Sequence, residues 1–101
     1  MRLPDDVVKD TDPRGKTVLD AGTGKGRFAI AFVKGGADRV VAVDISPAML
    51  ELAREAANRW GTSDRISFEI GDVEDLKYPD NSFDIVCCMA GTACRAWRHR
   101  R

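Results

Sequence analysis

Three carboxylates and one glycine run carry the chemistry of this sequence. Asp20 stands two residues before Gly22 in the stretch Asp20-Ala21-Gly22-Thr23-Gly24-Lys25-Gly26, Asp44 lies 22 residues after Gly22, and Asp72 follows Gly71. Glycines at every second position let the backbone bend sharply and let a ligand come close to the main chain. The run is not a diphosphate cradle. A dinucleotide fingerprint needs GxGxxG, but here the pattern is GxGxG and Arg27 takes the place of the third glycine. A P-loop fails too, because Lys25 is followed by Gly26 instead of serine or threonine and Leu19 stands where the first glycine belongs. Asp20 would also repel a diphosphate at close range. The set suits a cationic ligand without phosphate. Asp44 could accept from both hydroxyls of a ribose. Asp72 could accept from an exocyclic adenine amine while the Val73 amide donates to the ring, and Ile45 and Met49 could cover the base.

Such a constellation needs strands that end at one rim. Thr17–Asp20 is a short β-rich run closed by the glycines, and Arg39–Asp44 is a second, almost continuously apolar one, as strands covered on both faces are. Arg65–Ile70 and Phe83–Met89 read as a third and a fourth strand. Between the first two, Arg27–Val33 reads as a helix stopped by Gly35-Gly36. Ser46-Pro47 opens another with a hydroxyl N-cap and a proline in the first turn. It runs to about Trp60, with Met49, Leu52, Ala53, Ala56 and Trp60 on the inner face and Glu51, Glu55 and Arg59 outside. Residues 75–82 hold Tyr78-Pro79-Asp80-Asn81, a turn-rich crossover. Strands joined this way are parallel, with right-handed connections. Ligands then sit beyond their carboxyl ends, where Asp20, Asp44, Gly71-Asp72 and Cys88-Met89 converge.

Length and charge bound the alternatives. The 101 residues make one domain: a lead-in over 1–15 with at most a short helix anchored by Val7-Val8, a ligand-binding body over 16–91, and a basic tail over 92–101 expected to be disordered. Sixteen basic residues balance sixteen acidic ones, but four arginines crowd into the last seven positions, leaving a body of 12 basic against 16 acidic residues. That sum argues against nucleic-acid binding by the fold as a whole. The cysteines, Cys87, Cys88 and Cys94, are odd in number and lack metal spacing, and His99 is the single histidine. Neither a metal site nor a disulfide framework is expected, and Cys87 and Cys88 read as core packing in a reduced, cytoplasmic setting. The N-terminus is too polar for a signal peptide, and no apolar run reaches membrane-spanning length. Asp84, just inside the fourth strand, is expected to satisfy backbone. Lys25 is either a solvated loop charge or a neighbour of a ligand carboxylate.

Taken in order, VLDAGTGKG (18–26), VVAVDIS (40–46), ISFEIGDVEDL (66–76) and NSFDIVCCM (81–89) resemble the successive motifs of class I S-adenosylmethionine-dependent methyltransferases. The likeness covers roughly residues 16 to 90. It implies an α/β fold, a Rossmann-like open parallel sheet of about four strands in the order 3-2-1-4 with flanking helices, incomplete against the family's seven strands. It implies S-adenosyl-L-methionine as cofactor. Asp20, Ala21 and the Gly22–Gly26 loop (with Thr23 and Gly24) would hold the methionine end, with Cys88 bordering it. Asp44 would hold the ribose and Gly71, Asp72 and Val73 the adenine. The acceptor implied is a small molecule. No residue qualifies as a general base, so none is assigned a catalytic role. The segment after Ala90 does not look like the family's next helix. A truncated or frameshifted product is the expectation, with the fourth strand exposed at an edge and open to self-association. The competing readings are a partner-completed binding module and a nicotinamide-dependent oxidoreductase fragment.

Overall fold

The computed structural model describes residues 3–79, 81–88 and 93–96. Helix α1 (Pro4–Thr11) leads into strand β1 (Thr17–Ala21), helix α2 (Arg27–Lys34), strand β2 (Arg39–Asp44) and helix α3 (Pro47–Arg59). A 3-10 turn over Ser63–Arg65 precedes β3 (Ile66–Ile70), and β4 (Ile85–Cys88) and β5 (Ala93–Ala96) follow. The sheet order is β3-β2-β1-β4-β5. The first four strands are parallel, with Leu19 level with Val41 on one side and Val86 on the other. The expected 3-2-1-4 core is therefore present.

Three features differ from the expectation. Residues 93–96 of the supposed tail form β5, which pairs antiparallel with β4 and covers the edge expected to lie bare. An Ala-Cys-Arg-Ala run has too little hydrophobic alternation to announce a strand; pairing with an apolar neighbour supplies what its own pattern lacks. Cys87 packs in the core as expected, but it is disulfide-bonded, against the expectation of a reduced thiol. The register of β4 and β5 sets Cys94 opposite Cys87, a neighbour that only the pairing of β5 supplies. Cys88 is in the thiol form. Met89 to Thr92 and Trp97 to Arg101 lie outside the described residues, so the carboxyl end of the fourth strand and the rest of the tail carry no structural statement.

The inner face of α3 is the third difference. Leu50, Ala53 and Ala57 are buried, whereas Leu52 and Trp60 are 44% and 61% exposed. Close packing decides the rotation. A side chain at Gly26 would put its Cβ 2.9 Å from that of Ala53, so α3 presents its alanines where α2 begins, and the larger Leu52 and Trp60 turn outward. The start of α3 is as expected: Ser46 Oγ accepts from the Met49 amide at 3.2 Å, with Pro47 in the first turn.

Successive strand residues alternate between two cores. Val18, Val40, Ala42, Ile85 and Cys87 pack under the helices with Phe28, Phe32 and Ala57, and α1 adds Val7 to that layer. Leu19, Val41, Val43 and Phe83 form the other core, closed by Val73, Leu76 and Tyr78 of the segment between β3 and β4. Asp84 fixes the entry to β4: its carboxylate accepts the Thr17 amide at 2.9 Å and its own amide donates to the Thr17 carbonyl at 2.8 Å.

Candidate functional site

The glycine loop is fastened at both ends to the tip of β2. The Gly22 and Thr23 amides both donate to the Val43 carbonyl at 2.8 Å. Further along, the Gly24 amide donates to Asp44 Oδ2 at 2.9 Å, while Asp44 Oδ1 accepts the Ser46 amide at 3.0 Å. One carboxylate thus holds the loop after β1 and the start of α3 together. The same residue reaches β3, because the Asp44 carbonyl accepts the Gly71 amide at 3.1 Å. Three strand tips meet at one rim.

Two glycines are indispensable for different reasons. Gly26 has φ +82° and abuts Ala53, so both its backbone and its missing side chain are required. Gly24 has φ +56°, yet nothing lies within 4 Å of where its Cβ would be. The loop at Gly24 faces open space, the geometry of a main chain that a ligand can approach.

Asp20 is fully buried beneath this loop. Its Oδ2 accepts the Thr23 hydroxyl at 2.8 Å, and its Oδ1 has no hydrogen-bond partner. Burial pushes its carboxyl up to about 6. The Thr23 hydroxyl and the Ala29 backbone oppose that shift less strongly, and the Asp44 charge adds to it. A buried acid with one unsatisfied oxygen favours positive charge nearby. Since no part of it reaches the surface, Asp20 acts by its charge and through Thr23.

The other sequence-derived residues divide. Ile45 is 68% exposed at the rim, an apolar side chain that the fold does not cover, and Met49 is half-buried beneath it in sequence on α3. Asp72 is exposed, and its Oδ1 accepts the Glu74 amide at 2.9 Å in a local turn. Its neighbour Val73 is half-buried against the second core, as is Cys88 at the end of β4. Ala21 is buried in that core. A cavity of about 280 Å³ lies beside this segment, lined by Val43, Ile70, Gly71, Asp72 and Leu76 among others. Gly22–Gly26, Asp44, Ile45 and Gly71 thus share one rim with Asp20 buried beneath its glycine loop, whereas Asp72 and Val73 extend from its β3 side.

Ile70 was missed by the sequence reading. It pairs with Asp44 across β2 and β3 and is 66% exposed, so two isoleucines stand bare at adjoining strand ends. The available signal was the strand's last apolar residue directly before Gly71. Among the described residues no cluster of histidine, cysteine or carboxylate side chains could hold a metal. No helix there is long and apolar enough to cross a membrane.

Comparison with known proteins accords with this geometry. The sequence matches a family model described as a methyltransferase domain over residues 18–101. It is 44% identical over 77 residues to the demethylmenaquinone methyltransferase of Deinococcus radiodurans, covering 75% of this chain and 31% of that protein. Over 55 residues it is 51% identical to the ribosomal protein L11 methyltransferase of Alteromonas mediterranea, covering 54% of this chain and 19% of that one. The chain therefore spans about a fifth to a third of the length of these relatives. Among solved structures, a Trypanosoma brucei PRMT1 enzyme–prozyme complex with AdoHcy superimposes with a TM-score of 0.72 at 31% identity, covering 85% of this chain and 27% of that one. The strand order, the glycine loop tied to the second strand, and these matches lead to one conclusion: the chain belongs to the class I S-adenosylmethionine-dependent methyltransferase family.

Proposed function

We propose that the rim formed by the Gly22–Gly26 loop, Asp44 and Gly71–Val73 binds S-adenosylmethionine and presents its methyl group to a small-molecule acceptor. The observation that carries this reading is the bond from the Gly24 amide to Asp44, which keeps an open glycine backbone beside an acid. The residues fit the cofactor chemically. Asp20 and Asp44 supply negative charge toward an ammonium and a sulfonium, and the space above Gly24 admits a ligand. Asp44 already accepts two amides, but a carboxylate offers about four lone-pair sites, leaving room for ribose hydroxyls. Ile45 and Met49 give the adenine an apolar cover, and Asp72 and Val73 offer its edge an acceptor and a donor.

S-adenosylmethionine, when bound, supplies an activated methyl group for in-line displacement. What the chain's own residues contribute is placement: holding the donor in line is worth roughly 7–11 kcal/mol in effective molarity. Among the described residues no side chain at the rim is positioned as a general base, and no catalytic residue is assigned. The small-molecule acceptor is supported by the longer match, 77 residues at 44% identity, to a methyltransferase of demethylmenaquinone. A cytoplasmic location belongs to the same reading.

Calorimetry on the chain with S-adenosylmethionine, S-adenosylhomocysteine and NAD in parallel tests the reading. Saturable binding of the first two and none of NAD is expected. Binding of NAD alone would replace this reading with the oxidoreductase one.

A further inference from the structure

The zero net charge conceals a local excess on the helical layer. A groove of about 430 Å³ runs between the three helices, with Ile30, Ala31 and Ala56 as its apolar floor. Lys25, Arg27, Lys34 and Arg59 rim it together with Trp60, and Asp5 is the single acid in the lining. Lys25, Arg27 and Arg59 take part in none of the salt bridges among the described residues. Lys34 instead places its Nζ 4.1 Å from the centre of the Trp60 ring. Arg27 and Lys34 stand at the two ends of α2, about 10 Å apart along the helix axis. Four cations thus stand around a largely exposed indole, and Asp5 is the one acid among the described residues that line the groove.

We propose that this groove is a docking surface for single-stranded nucleic acid, with phosphates held by Arg27, Lys34 and Arg59 and a base stacked on Trp60. Charge complementarity selects a polyanion. The indole selects the kind, since a nucleobase offers a π-face for stacking and the carboxylates of an acidic peptide do not. Trp60 is left 61% exposed at the end of α3 with Lys34 against its ring, and Leu52 of the same helix is exposed as well. Lys25 belongs to the glycine loop, so the groove begins where the methyl-donor rim ends. The inference does not depend on what that rim binds.

The test is fluorescence anisotropy on the full chain with a labelled oligouridylate of about a dozen nucleotides, at low and at physiological salt. Saturable binding that weakens steeply with salt is expected. Trp60→Ala and the paired Lys34→Gln/Arg59→Gln variant should each weaken it about tenfold, with melting temperature and S-adenosylhomocysteine affinity unchanged. Absence of binding at low salt would overturn the proposal, as would wild-type affinity in both variants. Equal binding of a polyglutamate of matched charge would assign the groove to acidic peptides instead. Loss of binding on replacing Arg98, Arg100 and Arg101 with serine, the groove variants remaining unaffected, would move the activity out of the groove.

Discussion

The amide of Gly24 donates to Asp44 Oδ2 across 2.9 Å, joining residues twenty positions apart at the tips of β1 and β2. This bond makes the loop and the acid one unit, so damage to either should be felt at the other. Asp44→Ala removes the acceptor for both Gly24 and Ser46. S-adenosylhomocysteine affinity should fall by about 1–3 kcal/mol, the scale for losing a charged acceptor. Calorimetry gives the number, and unchanged affinity would take Asp44 out of the site.

Asp20 makes the protein's stability depend on pH. Its carboxyl is raised from an ordinary 3.8 to about 6 by burial first of all. The folded chain therefore holds this proton more tightly than the unfolded chain does. The associated stabilisation is complete below about pH 4, is lost as pH rises through about 6, and stays lost above that. A shift of this size corresponds to something on the order of 2–3 kcal/mol. Asp20→Asn should melt higher than wild type at neutral pH and lack that slope, while binding S-adenosylmethionine more weakly. Thermal melts across the acid range check the first part; an unaltered slope would assign the pH dependence elsewhere.

Two glycine variants should separate packing from access. Gly26→Ala meets Ala53 and a left-handed backbone together, and should cost about 2–4 kcal/mol of stability. Gly24→Ala meets no neighbour, so only the backbone term of about 1–2 kcal/mol applies. Its methyl group would project into the space assigned to the ligand. Denaturant titration should rank Gly26→Ala as the less stable, and calorimetry should find cofactor binding lost in Gly24→Ala although the fold persists.

The Cys87 disulfide can be counted. Of the three cysteines, Cys87 is disulfide-bonded and Cys88 is in the thiol form, so the chain denatured without reductant should titrate one thiol and after reduction all three. Three thiols before reduction would remove the bond. Such a bond in a reducing compartment would be short-lived, so the same count on freshly prepared extract also tests the cytoplasmic location.

The parts of the fold that were legible in the sequence are those written in local chemistry. Ser46-Pro47 announced α3 because an N-cap and a first-turn proline act within four residues. The glycine loop between Asp20 and Arg27 announced a tight strand-to-helix turn for the same reason. What depended on distant partners was not legible. The rotation of α3 is set by Gly26 against Ala53, a contact between two elements, so Leu52 and Trp60 were assigned to the wrong face. β5 needs β4 beside it to become a strand, so the core position of Cys87 is legible in the sequence whereas its disulfide is not. Within the candidate site, the place of Asp44 at a strand tip is legible in the sequence. Its grip on the Gly24 and Ser46 amides, and the enclosure of Asp20 under Thr23, emerged only in three dimensions.

The most direct test of the central claim is amide chemical-shift mapping of the chain titrated with S-adenosylhomocysteine. The largest shifts should fall on Gly22, Thr23, Gly24 and Gly26, on Asp44 and Ile45, and on Gly71 to Val73. Shifts confined to α1 and α2 around Lys34, with the glycine loop and Asp44 silent, would contradict it.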